Sequence, residues 1–153
     1  MEFQSADAAL PPASDLIEAM VADVSRFYGR IDVPGMPTAR PEDFAPPAGT
    51  FLVGYDDGRP VCGGGVKRVE PGIAEIKRMY VVPEARGRGV SRALLAALED
   101  AARALGYERV RLDTGPSQEA ALHLYRSAGY EEIPDYNGNF KASFWGEKRL
   151  RPR

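Results

Sequence analysis

The chain has 153 residues, with 20 basic and 22 acidic side chains and a net charge of −2. That length fits one domain, residues 1–153, able to bury about 70% of its unfolded surface without a covalent staple. The single cysteine, Cys62, excludes an intrachain disulfide and favours a reducing compartment. The charge balance makes no global case for nucleic acid, and no apolar run approaches the ~18 residues of a membrane span. The acidic start lacks the basic region of a signal peptide. A cytoplasmic protein with neither a membrane nor a nucleic-acid partner is the expectation.

In chain order, Leu16, Ile17, Met20, Val21, Val24 and Phe27 recur at helical spacing, with Ser14 the expected N-cap and Gly29 the stop. The segment from Ile31 to Gly49 holds five prolines, which predicts a structured loop with one short helical turn at Pro41 to Phe44. "TFLVGYDD" reads as a strand, Asp57-Gly58 as a hairpin turn and "RPVCGGGVKRVE" as the partner strand. The glycines Gly63, Gly64 and Gly65 mark a bulge or the close approach of something else, the acceptor included. Pro71-Gly72 turns the chain into a third strand, "IAEIKRMYVVP".

After a loop rich in glycine and arginine, Val90, Ala93, Leu94, Ala97, Leu98, Ala101 and Leu105 trace an amphipathic helix ended by Gly106. "RVRLDT" is a strand, and "SQEAALHLYRSA" a helix with Ser117 as its expected cap and Gly129 as its end. "YEEIP" is a short strand, "YNGN" a turn and "FKASFWGEKRL" a last strand. This order predicts an α/β fold: a mixed, mostly antiparallel sheet of about six to seven strands, with a parallel crossover in its middle and helices flanking it.

The loop "EARGRGVS" joins a strand to a helix start, where unpaired N–H groups and the helix dipole attract anions. Gly87 and Gly89 allow close approach, and Arg86 and Arg88 add charge. A Walker-type loop would need Gly-Lys-Ser/Thr, which is missing. A dinucleotide fingerprint would need a glycine where Arg92 stands. A plain turn with solvated arginines is the bland alternative.

"RGRGVS" resembles the acyl-CoA signature of the GNAT superfamily of N-acyltransferases, Gln/Arg-x-x-Gly-x-Gly/Ala, with Arg86, Gly89 and Ser91 on the fixed positions. Ser91 replaces the usual glycine or alanine. "QEAALHLYRSAGY" is similar to the family's later helix through Ala121, Tyr125, Gly129 and Tyr130, with Gln118 in place of the frequent asparagine. "AEIKRMYVVPEARG" resembles the strand entering the loop, and the likeness spans about Thr50 to Leu150.

The resemblance implies the acyl-CoA N-acyltransferase fold and an N-acetyltransferase that moves an acetyl group from acetyl-CoA to a primary amine of a small molecule by direct attack. It also implies who binds the cosubstrate. The loop backbone of Arg86, Gly87, Arg88, Gly89, Val90 and Ser91 would hold the diphosphate. The backbone of Met79 and Val81, with Gln118, would hold the pantetheine arm, and the Val81 N–H would polarise the carbonyl. Tyr125 is the candidate acid for the leaving thiolate. Glu75, 11 residues before Arg86, is the candidate base, and simple alternation places it on one strand face with Lys77, Met79 and Val81.

Cys62 reads as a small buried residue, and His123 as a helix-surface residue. One histidine and one cysteine argue against a metal site. Phe27, Tyr28, Arg30, the loop through Phe44 and the "DYNGNF" turn are expected to wall the acceptor cleft. Lys77, Arg78 and Arg30 suggest an acceptor with a carboxylate, such as an amino acid or peptide. The basic tail "EKRLRPR" reads as a solvated terminus. A homodimer is possible in this fold, and the competing function is an acyl-CoA-binding sensor that transfers nothing.

Overall fold

In a computed structural model, which describes residues 1–29 and 39–152, seven strands form one sheet in the order β1-β2-β3-β4-β5-β7-β6. The strands are β1 (Glu2–Ala6), β2 (Thr50–Asp56), β3 (Arg59–Glu70), β4 (Ile73–Val81), β5 (Arg109–Thr114), β6 (Glu131–Glu132) and β7 (Phe144–Arg149). The helices are α1 (Ala13–Tyr28), α2 (Val90–Ala104) and α3 (Glu119–Ser127). All pairings are antiparallel except β4 with β5, which run parallel because α2 crosses between them. This is the mixed sheet with a central crossover that the element order predicts.

Two apolar clusters fill the two faces. On one, Leu94, Leu95 and Leu98 of α2 pack on Cys62, Val66, Ile76, Val110 and Leu112. On the other, Leu16 of α1 and Phe44 of the 3₁₀ turn Pro41–Phe44 pack on Phe51 and Val53. The glycine run of β3 answers the question its composition raises. A Cβ on Gly65 would overlap the Phe44 ring, one on Gly64 would sit 2.8 Å from Leu98 Cδ1, and one on Gly63 3.0 Å from Phe51 Cε1. Core side chains from both layers make the close approach.

The same place carries a bulge, but the extra residue lies on β4. Gly65 pairs with Lys77 and Gly63 with Tyr80, so Arg78 and Met79 together oppose Gly64. Arg78 sits at φ +60°. The bulge flips strand parity and corrects the simple alternation. Glu75 and Lys77 share the α1 face with Tyr80, while Ile76, Met79 and Val81 lie on the α2 face.

Two helix starts also differ from expectation. α1 begins earlier, on Pro12, because Ser14 N–H already bonds Leu10 O at 3.0 Å. α3 begins on Gln118, one residue beyond Ser117. β1 has no counterpart in the predicted elements.

Candidate active site

β4 and β5 pair only from Ile73–Arg109 to Glu75–Arg111, and then part. Beyond Glu75, the second edge of β4 has no strand beside it. Val82 N–H bonds Val61 O at 2.9 Å on the β3 side, so strand alternation turns the peptide groups of Val81 and Met79 to the open edge. A channel of about 300 Å³ follows this edge, lined by Met79, Tyr80 and Val81, by Asp23 of α1, by Arg86 and Ser91, and by Gln118, Ala121 and Tyr125 of α3 with its cap. A second hollow of about 150 Å³ continues it toward the other face. It is lined by Lys77, Arg78, Asp113, Thr114, Asn139 and Lys141. Met20, Val24, Met79, Gln118 and Tyr125 border both.

One end of the channel is the start of α2. Gly89 is its N-cap at φ +77°, in the left-handed region that glycine adopts without strain. The first backbone bond into the helix runs from Ala93 N–H to Gly89 O, 3.1 Å, so the N–H groups before it face outward. Two of the loop arginines are engaged elsewhere. Arg86 bonds Val81 O through Nε (2.9 Å) and Asp23 of α1 (3.0 Å), and lies 5.4 Å from the Tyr80 ring centroid. Arg88 pairs loosely with Asp56 at 3.5 Å, and both side chains are exposed. Arg92 ties α2 to Ser127 of α3 at 2.9 Å. Gln118 accepts from Thr114 Oγ1 (2.8 Å) and Gly115 N–H (3.3 Å), which fixes its carboxamide at the mouth of both hollows.

Tyr125 is 8% exposed and points its hydroxyl at Met79 Sδ, 3.9 Å away. Burial, and secondarily the charge of Asp113, push its phenol up to about 12, so it holds its proton throughout the neutral range.

Glu75 is 4% exposed and sits in a network. Tyr136 O–H and Asn137 Nδ2 (3.1 Å) donate to its Oε2, and Lys77 Nζ lies 3.6 Å from Oε1. Asn137 Nδ2 also donates to Asp113 Oδ2 (2.6 Å), and Asn137 Oδ1 accepts from Trp145 Nε1 (3.1 Å). Burial beside Glu75 raises the Tyr136 phenol far above its ordinary value, which keeps it a donor. The structure therefore joins Glu75 to the hollow through Asn137 and Asp113.

Asp113 is a candidate-site residue that sequence reading missed. The "DYNGNF" turn, expected as an acceptor wall, brings Asn139 to the hollow, while its Asn137 bonds carboxylates 24 and 62 positions away that its sequence does not signal. Cys62 is fully buried and its thiol is pushed up to about 11, while His123 is exposed on α3. Among the described residues no cluster of His, Cys, Asp and Glu has the makings of a metal site, and no helix is long and apolar enough to cross a membrane. Of the expected acceptor walls, residues 30–38 and the side chains of Phe27 and Tyr28 lie outside the described residues, while Phe44 is buried against Phe51 and lines neither hollow.

A parted parallel strand pair, an anion-ready helix start and a channel between them can be set beside known proteins. The model of the acetyltransferase (GNAT) family matches residues 17–130. The chain belongs to the GNAT family.

An IAA acetyltransferase of Azospirillum brasilense is 33% identical over 123 residues, covering 79% of this chain and 80% of that one. A Klebsiella pneumoniae structure provisionally named an acyl-CoA N-acyltransferase superposes at TM-score 0.77, with 28% identity and 98% and 97% coverage. A GNAT family acetyltransferase from Elizabethkingia anophelis, solved with acetyl-CoA bound, shares the fold at TM-score 0.69 and 16% identity, with 97% of each chain covered. This GNAT protein is accordingly an acyl-CoA-dependent acyltransferase with acetyl-CoA as cosubstrate. The channel fits that substrate: it offers outward N–H groups at one end, a strand edge with no strand beside it along its length and a protonated phenol at the other end.

Proposed function

We propose that this GNAT protein transfers the acetyl group of acetyl-CoA directly to the primary amine of a small molecule held in the smaller hollow. The observation that carries this reading is Tyr125, a buried, protonated hydroxyl on the border between the two hollows. In the channel, the N–H groups from Arg88 to Ser91 take the diphosphate with Arg86 and Gly87 shaping the turn. The open edge of Met79 and Val81 pairs with the pantetheine arm, and Gln118 borders it. Val81 N–H, turned to that edge, polarises the thioester carbonyl.

The amine nitrogen attacks the carbonyl carbon, the new C–N bond forms and the C–S bond breaks. Two protons leave the ammonium in the full cycle. One passes to the Asp113 carboxylate, which borders the hollow, and from there to solvent, while Asn137 donates to both Asp113 and Glu75 and holds them in place. The other replaces the proton that Tyr125 gives to the departing thiolate. A cytoplasmic setting accords with the one buried thiol.

The test is thiol release from acetyl-CoA with a library of amino acids, peptides, polyamines and aminoglycosides. Release with members of one class supports the reading. Thermal stabilisation by acetyl-CoA with no release from any amine replaces it with the sensor reading.

A further inference from the structure

Arg78 is a cation held at a cost. It is the extra residue of the β4 bulge and stands at φ +60°, where side chains other than glycine, asparagine and aspartate are rare. A glycine would satisfy the same backbone without strain. Arg78 lines the smaller hollow.

Among the described residues its surroundings leave it unpaired. Lys77, the neighbouring cation, is paired with Glu75 at 3.6 Å. Lys141 also has a partner. Asp113 is committed on Oδ2 to Asn137. Arg78 feels the charges of Glu75 and Asp113, yet it makes no hydrogen bond and no ion pair among the described residues. Every fully buried side-chain nitrogen among these residues has a partner, so the Arg78 nitrogens are not sealed from solvent. An unpaired, half-buried guanidinium presents a planar fork of donors suited to a carboxylate.

We propose that Arg78 binds the carboxylate of the acceptor, so that the acceptor is an amino acid or a related amino carboxylate, with Asp113 facing its ammonium in the same hollow. This rests on the transferase reading and adds a substrate class to it. Strain at Arg78 is then the means by which one strand carries both halves of the site. Met79 and Val81 keep their peptide edge for the cosubstrate, while the bulged residue between Lys77 and Met79 turns to the acceptor.

The experiment compares each amino acid with its own carboxamide, in the wild type and in Arg78→Gln and Arg78→Lys. The readout is the ratio of kcat/KM for acid over amide. Because one pair is compared across proteins, the amine's own basicity cancels. The wild type should prefer acids. Arg78→Gln should reduce that ratio by about 10- to 100-fold, chiefly through KM for the acid, and Arg78→Lys should restore part of it. Acetyl-CoA-induced thermal stabilisation serves as the folding control.

A ratio within 2-fold of wild type in Arg78→Gln overturns the proposal. So does a wild type that turns over other amines and no amino acid. Absence of thiol release with every amine sinks the transferase reading itself, and with it this one.

Discussion

Replacing Tyr125 with phenylalanine removes one oxygen atom and little else. The ring is buried, and it meets the Tyr130 ring at 6.0 Å between centroids. Among the described residues the hydroxyl's hydrogen-bond partner is Met79 Sδ, a weak contact at 3.9 Å. Losing it costs less than about 1 kcal/mol, which for a chain of this size is a fall in Tm of less than about 4 °C. The chemical step stands to lose far more. A positioned acid contributes about 10²- to 10⁴-fold, so kcat should drop by at least about 100-fold while KM for acetyl-CoA moves little.

The phenol supplies its own signature. The folded group titrates at about 12 against 10.0 for the ordinary residue. Because the folded value is raised, its contribution is fully present below pH 10 and is lost as pH rises toward 12. Stability should then fall by up to about 1.4 kcal/mol per pH unit on this account. Tyr125→Phe should lack that part of the alkaline decline in urea titrations at pH 9 and 11. Turnover is followed by thiol release from pH 6 to 10. A kcat for Tyr125→Phe equal to wild type across that range refutes the acid role, whatever the stability data show.

Three further outcomes are expected. Gly65→Ala forces a methyl group into the Phe44 ring, which is itself edge-on to Phe51 at 5.8 Å, and should lower Tm by about 5–10 °C; calorimetry showing a change under 1 °C would contradict the packing described. Asn137→Ala removes the amide that joins Glu75, Asp113 and Trp145, so kcat for the acceptor should fall about 10-fold or more with KM for acetyl-CoA unmoved, as read by steady-state kinetics varying each substrate in turn. Cys62, fully buried with its thiol raised to about 11, should resist aromatic disulfide reagents at pH 8 until the protein is unfolded; stoichiometric labelling of the native protein would show that the site opens.

Much of this architecture was legible because its signals are local. The Asp57-Gly58 turn, both residues at positive φ, and the apolar stripe of α2 appear where residue type alone places them. β1 escaped because Glu2–Ala6 shows no alternation: it is held by backbone pairing with β2 and buries little. The bulge at Arg78 escaped for a different reason. Nothing in "IKRMY" marks the slip; it exists because β3 and β4 must stay in register on both sides of Gly64. That slip is why Glu75 and Met79 lie on opposite faces although four positions apart. The Glu75–Asn137–Asp113 chain is equally a product of folding, since its members come from β4, the turn before β7, and β5.

The glycines of β3 also act as a spacer gauge. Leu16 of α1, Leu98 of α2 and Phe44 come down on a strand that offers them backbone and no side chains. At this line the distance between the two layers is set by the thickness of one peptide ribbon. α1 contributes Met20 and Val24 to the same opening that α3 borders with Tyr125. Any side chain added to β3 would wedge the layers apart and widen that opening. The opening shared by the two hollows is thus metered by three residues that line neither.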